Sequence, residues 1–159
     1  MGLLMSEPHD NAGVIAPPPL IFAAGLLIGF ILHALLPVPF VPVPLNRIVG
    51  AIVVILSVIP GVWALAMMNK AHTSPIPEAP TTALVTDGPF AFTRNPIYLT
   101  FTIFYVGVAI FVNGLLILLE LPFVLWMIQK GVIEREEAYL ERKFGDDYRQ
   151  YKARVRRWL

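Results

Sequence analysis

The apolar residues of this chain are gathered into three long runs, and that grouping constrains the fold more than any other feature. The first, Leu20 to Leu36, is opened by Pro17-Pro18-Pro19. At 1.5 Å per residue it just reaches across the hydrocarbon of a bilayer. The second, Ile48 to Met68, has Arg47 before it and Asn69-Lys70 after it. Pro60-Gly61 inside it predicts a kink. The third, Ile97 to Ile128, is 32 residues long, too many for one span and short for two. Asn113-Gly114 divides it and is a strong turn signal. The run therefore predicts a hairpin of two short helices, 97–112 and 115–131.

Composition agrees. Charged residues make up 14% of the chain and hydrophobic ones 57%, with a mean hydropathy of +0.69. A soluble domain carries about 25% charged residues. The charge is also unevenly placed: residues 130–159 hold 9 of the 12 Lys and Arg and 6 of the 11 Asp and Glu. The expected fold class is an all-α integral membrane protein. It has about four transmembrane helices, the last two a short hairpin, plus a C-terminal amphipathic cytoplasmic helix. Within one domain over 1–159, the parts are an N-terminal tail (1–17), two spans (18–70), a cytoplasmic loop (71–96), the hairpin (97–131) and the tail helix (132–159). Residues 1–17 carry no Lys or Arg, which argues against a secretory signal. The basic excess of the tail places both termini in the cytoplasm, and the short chain suggests a prokaryotic cell membrane.

Several functions are excluded early. There is no Cys, hence no disulfide framework, Cys-based zinc site or thiol nucleophile. His9, His33 and His72 are scattered, and no metal site is expected. A net charge of +1 gives no general attraction to nucleic acid. The sequence has no internal repeat and carries no signal for oligomeric state.

The two polar stretches next to the membrane are where chemistry is expected. The 71–96 loop is too rich in proline for a helix and long enough to be functional. It ends in Asp87-Gly88-Pro89-Phe90-Ala91-Phe92-Thr93-Arg94-Asn95-Pro96-Ile97-Tyr98. Pro96 suits the first turn of the helix that follows. Free N–H groups there, with Arg94 beside them, suit a carboxylate; they equally suit a plain helix start with a snorkelling Arg. In the tail, Glu136 and Glu137 precede Leu140, Phe144-Gly145, Tyr148 and Tyr151. Such carboxylates suit ribose hydroxyls, a cationic cofactor, or a solvated helix face. Gly145 is a candidate interruption of the tail helix. Glu120, two residues before Pro122 in an apolar stretch, is a functional suspect because a charge in the membrane is expensive. It either meets substrate or cofactor, pairs with Lys130 or His33, or is protonated and bonded to backbone freed by Pro122. Trp158 with Arg154, Arg156 and Arg157 reads as an interfacial anchor to anionic lipid.

Gly88 to Tyr98 and Glu136 to Tyr151 together resemble the isoprenylcysteine carboxyl methyltransferase family and related membrane phospholipid methyltransferases. The family pattern runs Gly-Pro-aromatic-x-aromatic-x-Arg-His-Pro-x-Tyr, a membrane hairpin, then Glu-Glu-x-x-Leu-x-x-x-Phe-Gly-x-x-Tyr-x-x-Tyr. The resemblance spans roughly residues 70–157 and implies methyl transfer from S-adenosylmethionine to a small hydrophobic or lipid-like acceptor. It implies a cofactor site from Gly88, Phe90, Arg94, Asn95, Pro96, Tyr98, Glu136 and Glu137, with Glu136 and Arg94 as catalytic candidates; Glu120 is a substrate candidate by its charge in the membrane alone. Asn95 departs from the family His: it can still hydrogen-bond but cannot titrate near neutrality. Gly131 and Val132 stand where isoprenylcysteine enzymes carry an Arg, which argues against a prenylcysteine carboxylate as acceptor. One rival is an NADPH-dependent membrane reductase on a similar scaffold. A 2′-phosphate wants clustered Arg, and the loop offers only Arg94. A non-enzymatic membrane scaffold is the other.

Overall fold

The structure, a computed structural model, describes residues 10–159, so the start of the N-terminal tail, including His9, lies outside the described residues. Six α-helices follow one another, and no strand occurs among the described residues. They are α1 Pro18–Leu35, α2 Leu45–Lys70, α3 Pro96–Val112, α4 Leu115–Ile128, α5 Glu134–Phe144 and α6 Asp146–Arg154. A 3₁₀ turn, Gly88–Ala91, precedes α3, and a π turn, Gln129–Ile133, joins α4 to α5. The first two helices and the continuous rod Leu115–Phe144 are long and apolar enough to cross a membrane, and α3 is a shorter apolar helix. The chain is an integral membrane protein.

α3 and α4 form the centre, with Tyr105, Ala109, Ile117 and Ile128 fully buried between them and their neighbours. α2 lies along α3 and α1 along α4. The α2–α3 approach is close because Gly50 faces the backbone of Phe111 and Gly107 faces the backbone of Val54; a Cβ at either position collides. Small residues at such contacts are how helices pack where the hydrophobic effect between them is absent. The outer faces of α1 and α2 expose Leu27, Ile31, Ile52, Ile55 and Ile59, as lipid-facing surfaces should.

Two boundaries differ from the sequence expectation. The second hairpin helix does not stop at 131 and hand over to a separate tail helix. α4 widens into the π turn and continues as α5: Gly131 sits within the wide turn without ending the helix, and no proline stands between the apolar and the charged stretch. The apolar part of the rod ends at Ile133, and seven of the next eleven residues are charged, so α5 stands clear of the hydrocarbon. The tail helix instead breaks at Gly145, whose φ of +55° suits glycine. The second helix passes through Pro60-Gly61 without interruption.

The end of the molecule away from the polar loops is tied together by Asn113. It sits in the left-handed region at φ +61°, ending α3. Its Oδ1 accepts from the N–H groups of Phe40 and Val41, each at 2.9 Å, and its Nδ2 donates to the Val41 carbonyl at 2.8 Å. One side chain thus clasps the proline-rich α1–α2 connection to the α3–α4 turn. Asn113→Ala loses three hydrogen bonds and strains the turn. We expect it to lower stability by about 2–4 kcal/mol, read as a drop in the detergent melting temperature. An unchanged melt sinks the clasp.

Candidate active site

A cleft of about 890 Å³, counting the solvent at its mouth, lies at the membrane boundary between the 71–95 loop, the start of α3, and α5 with α6. Its lining includes Phe90, Arg94, Asn95, Pro96, Tyr98, Glu136 and Glu137. The two sequence blocks therefore meet in space although about 40 residues separate them. The remaining wall is largely apolar, with Met68, Ile76, Leu84, Ile97 and Leu140.

Local structure explains the meeting. Pro96 opens α3, its missing N–H costing nothing at that position, and two residues later Tyr98 projects toward α5. The π turn uses an extra residue, which rotates α5 by about 100° relative to an unbroken α-helix. Glu136 then meets Tyr98, whose hydroxyl donates to Glu136 Oε1 at 2.7 Å. Glu137, the next residue, turns away and is buried between two arginines. Arg94 Nη1 is 3.1 Å from its Oε1. Arg157 Nε and Nη2 donate to its two oxygens at 2.9 and 2.8 Å.

The two carboxylates thus have opposite environments. Glu137 is doubly compensated. No cation reaches Glu136 among the described residues. It is partly buried, and desolvation pushes its pKa up to about 7, reinforced by the charges of Glu78 and Glu137 and opposed by the Tyr98 hydrogen bond. Tyr98→Phe removes the opposing contribution and moves the Glu136 midpoint to higher pH. In ligand titrations across pH, the transition in affinity should shift upward with little change in fold; a fixed transition means Tyr98 does not tune Glu136.

Tyrosines hold the cleft's walls. Tyr139 accepts from the Thr81 N–H at 3.0 Å and donates to Asp10 Oδ1 at 2.9 Å, and Lys143 pairs with the same Asp10. Tyr151 donates to the Phe90 carbonyl at 2.8 Å. Tyr148 accepts weakly from Arg94 at 3.4 Å. These side chains recur in the sequence as the apolar stripe of the tail, and that stripe faces the cleft. The N-terminal segment closes the other flank, with the Ile15 N–H donating to the Gly131 carbonyl in the π turn at 3.1 Å.

Some expected site residues lie elsewhere. Gly88 is absent from the cleft lining: at φ +62° it is pressed against Met67 and Trp63 of α2, so its lack of a side chain serves packing and the turn. Glu120 is remote from the cleft. It accepts from the Tyr105 hydroxyl inside the helical body and abuts Gly29 of α1, not Lys130, His33 or freed backbone. Arg94 does not stand free for a ligand carboxylate; its fork is turned to Glu137, while its buried Nε has no partner among the described residues. Arg157, expected with its neighbours at the lipid interface, is engaged with Glu137. No metal-binding cluster occurs among the described residues.

Known proteins share parts of this sequence. Over 72 residues, 45% of this chain, the sequence is 40% identical to a protein-S-isoprenylcysteine O-methyltransferase of Schizosaccharomyces pombe, of which the match covers 30%. Over 33 residues, 21% of this chain, it is 64% identical to an uncharacterized protein of Haemophilus influenzae, of which the match covers 52%. The chain thus matches about a third to a half of the length of these curated relatives. No solved structure matches significantly. The profile of the phospholipid methyltransferase family matches residues 45–147, well over half of the sequence, from the start of α2 to just past Gly145. The chain belongs to the phospholipid methyltransferase family.

Proposed function

We propose that this protein transfers a methyl group from S-adenosylmethionine to a lipophilic acceptor at the cytoplasmic face of the membrane. The observation that carries the reading is Glu136: a carboxylate without a cation, fixed by Tyr98, in the wall of a largely apolar cleft at the membrane boundary.

The residues present fit that cofactor. A ligand with a cationic centre and an ammonium group suits an uncompensated carboxylate. The apolar wall from Ile76, Leu84 and Ile97 suits a flat base. The buried Arg94 Nε is a donor awaiting an acceptor. When bound, the cofactor supplies an already activated methyl group, which leaves by in-line displacement.

The chain's own residues then bind, orient and exclude water. Glu136 favours positive charge beside it, Tyr98 fixes its carboxylate, and the apolar loop keeps water out. If the acceptor is an amine, Glu136 ionises near pH 7 and is poised to take its proton. Met68 at the end of α2 and Ile97 at the start of α3 put the cleft within reach of a molecule held in the bilayer. The basic excess of residues 130–159 favours the cytoplasmic side for this face.

The test is calorimetric titration of detergent-purified protein with S-adenosylhomocysteine, with NADPH as comparison. Saturable binding of the first and none of the second supports the reading. Transfer of labelled methyl groups into a membrane-lipid extract then shows the acceptor class. Binding of NADPH alone favours a reductase, and binding of neither by folded protein favours a scaffold.

A further inference from the structure

We propose that Arg157 is a positioning residue for methyl transfer, bracing the two blocks of the cleft against each other. The role in transfer rests on the methyltransferase reading above. The brace itself rests on contacts alone.

Beyond α6 the chain turns extended at Val155, with φ −117° and ψ 129°, and runs back across the site as a short strap. Three consecutive residues of the loop bond to it. The Arg94 N–H donates to the Arg156 carbonyl at 3.0 Å. Asn95 Nδ2 donates to the Arg157 carbonyl at 2.8 Å, and Thr93 Oγ1 to the same oxygen at 3.2 Å. The Arg157 side chain then reaches the other block, gripping both oxygens of Glu137. Trp158 fastens the strap's end, packing against the core and pointing its N–H at Gln129 of the π turn, 3.4 Å away. The strap touches the loop through its backbone and α5 through one forked side chain.

The fork matters because Glu137 is shared. It has to neutralise Arg94 on one side while being held from the other, and a planar guanidinium can grip both its oxygens at once. A lysine at 157 supplies charge without that geometry. The consequence for chemistry falls on the neighbouring carboxylate. The groups facing Glu136 are Tyr98 from α3, Glu78 from the loop and Glu137 from its own helix, with Arg94 and Arg157 behind Glu137. While both arginines hold Glu137, its field at Glu136 is damped. With Arg157 gone, that field strengthens and Glu136 ionises at higher pH. The Asn95 amide, standing where the family His is expected, keeps the Arg157 backbone carbonyl as its acceptor, but that carbonyl is no longer tied to α5.

The experiment compares Arg157→Ala and Arg157→Lys with wild type, and with Arg154→Ala, whose side chain, among the described residues, bonds only the Gln150 carbonyl. The first readout is hydrogen exchange of residues 92–95 in ligand-free protein. We expect exchange at least tenfold faster in Arg157→Ala, an intermediate change in Arg157→Lys and none in Arg154→Ala. The second is S-adenosylhomocysteine affinity from pH 5.5 to 8.5. We expect weaker binding and a midpoint raised by about half a unit or more in Arg157→Ala, with the midpoint largely restored in Arg157→Lys. Unchanged exchange in Arg157→Ala overturns the brace. An unchanged midpoint, with affinity falling only as far as melting temperature predicts, reduces Arg157 to a stabilising contact and overturns the positioning role. Wild type that binds no S-adenosylhomocysteine at any pH overturns the methyltransferase reading and the positioning role together, and the exchange data then still report the brace by themselves.

Discussion

Glu137→Ala should lower stability by about 3–5 kcal/mol and abolish the proposed methyl transfer. The carboxylate lies between Arg94 and Arg157, with side-chain exposures of 9% for Glu137 and 10% for Arg94. Removing it leaves the Arg94 guanidinium buried without a counter-charge and facing a second cation. Deleting one partner of a buried ion pair typically costs about 3–5 kcal/mol, because the orphaned charge keeps its desolvation penalty. Arg157 is 30% exposed and can turn toward water, so the penalty falls on Arg94. The loop from Thr93 to Asn95 then loses its anchor to α5, and the cleft loses its shape. The check is a thermal melt in detergent, with Glu137→Gln as the milder companion that keeps hydrogen-bonding oxygen and volume. A Glu137→Ala melt indistinguishable from wild type would show that the arginines find other partners and that the pair does not hold the site.

Glu136→Gln should act in the opposite sense on stability and more strongly on binding. Burial raises the Glu136 pKa from an ordinary 4.5 to about 7. A carboxyl whose folded pKa is raised binds more protons folded than unfolded. Its contribution to stability is therefore fully present below about pH 4.5 and is lost as pH rises toward 7. At neutral pH and above, the ionised side chain costs stability. One pKa unit corresponds to about 1.4 kcal/mol. Allowing for the water in the cleft, Gln should regain about 2 kcal/mol at pH 8 and nothing at pH 4. Binding of the proposed cofactor, S-adenosylmethionine, should meanwhile weaken by about 10- to 150-fold, the worth of a hydrogen bond to a charged group. A variant that is more stable and inactive marks a residue kept for function at the expense of the fold. If Glu136→Gln binds the cofactor as wild type does, the carboxylate is not the cofactor's partner.

Much of the fold is legible in the sequence. Apolar runs 20–36, 48–68 and 97–112 appear as helices 18–35, 45–70 and 96–112. Run length against bilayer thickness, with prolines marking the ends, decides these elements, and both are local properties. The meeting of Tyr98 with Glu136 follows from the spacing of the two blocks, which the family resemblance supplied. Other features are not local. Gln129-Lys130-Gly131-Val132-Ile133 has no signature separating a wide turn from an ordinary one. Arg157 sits among Arg154, Arg156 and Trp158, a cluster that reads as a lipid anchor; only the distant Glu137 and Asn95 assign it otherwise. Gly88, which the resemblance puts in the cofactor site, sits instead in a turn against Trp63 of α2, a neighbour that no local pattern shows. Glu120 is rightly singled out as an expensive charge, but its partner Tyr105 lies on the preceding helix, two turns from any sequence signal.

The π turn also separates two design problems that a straight rod would couple. In an uninterrupted helix, adding one residue to match a thicker membrane swings every later side chain by about 100°. Here the wide turn stands between the apolar length of α4 and the carboxylates of α5. One residue deleted above it can be absorbed by narrowing it to ordinary α geometry, with Glu136 still aimed at Tyr98. The hydrophobic length of the rod can thus shorten by a residue to suit a thinner bilayer while the aim of the carboxylate stays fixed.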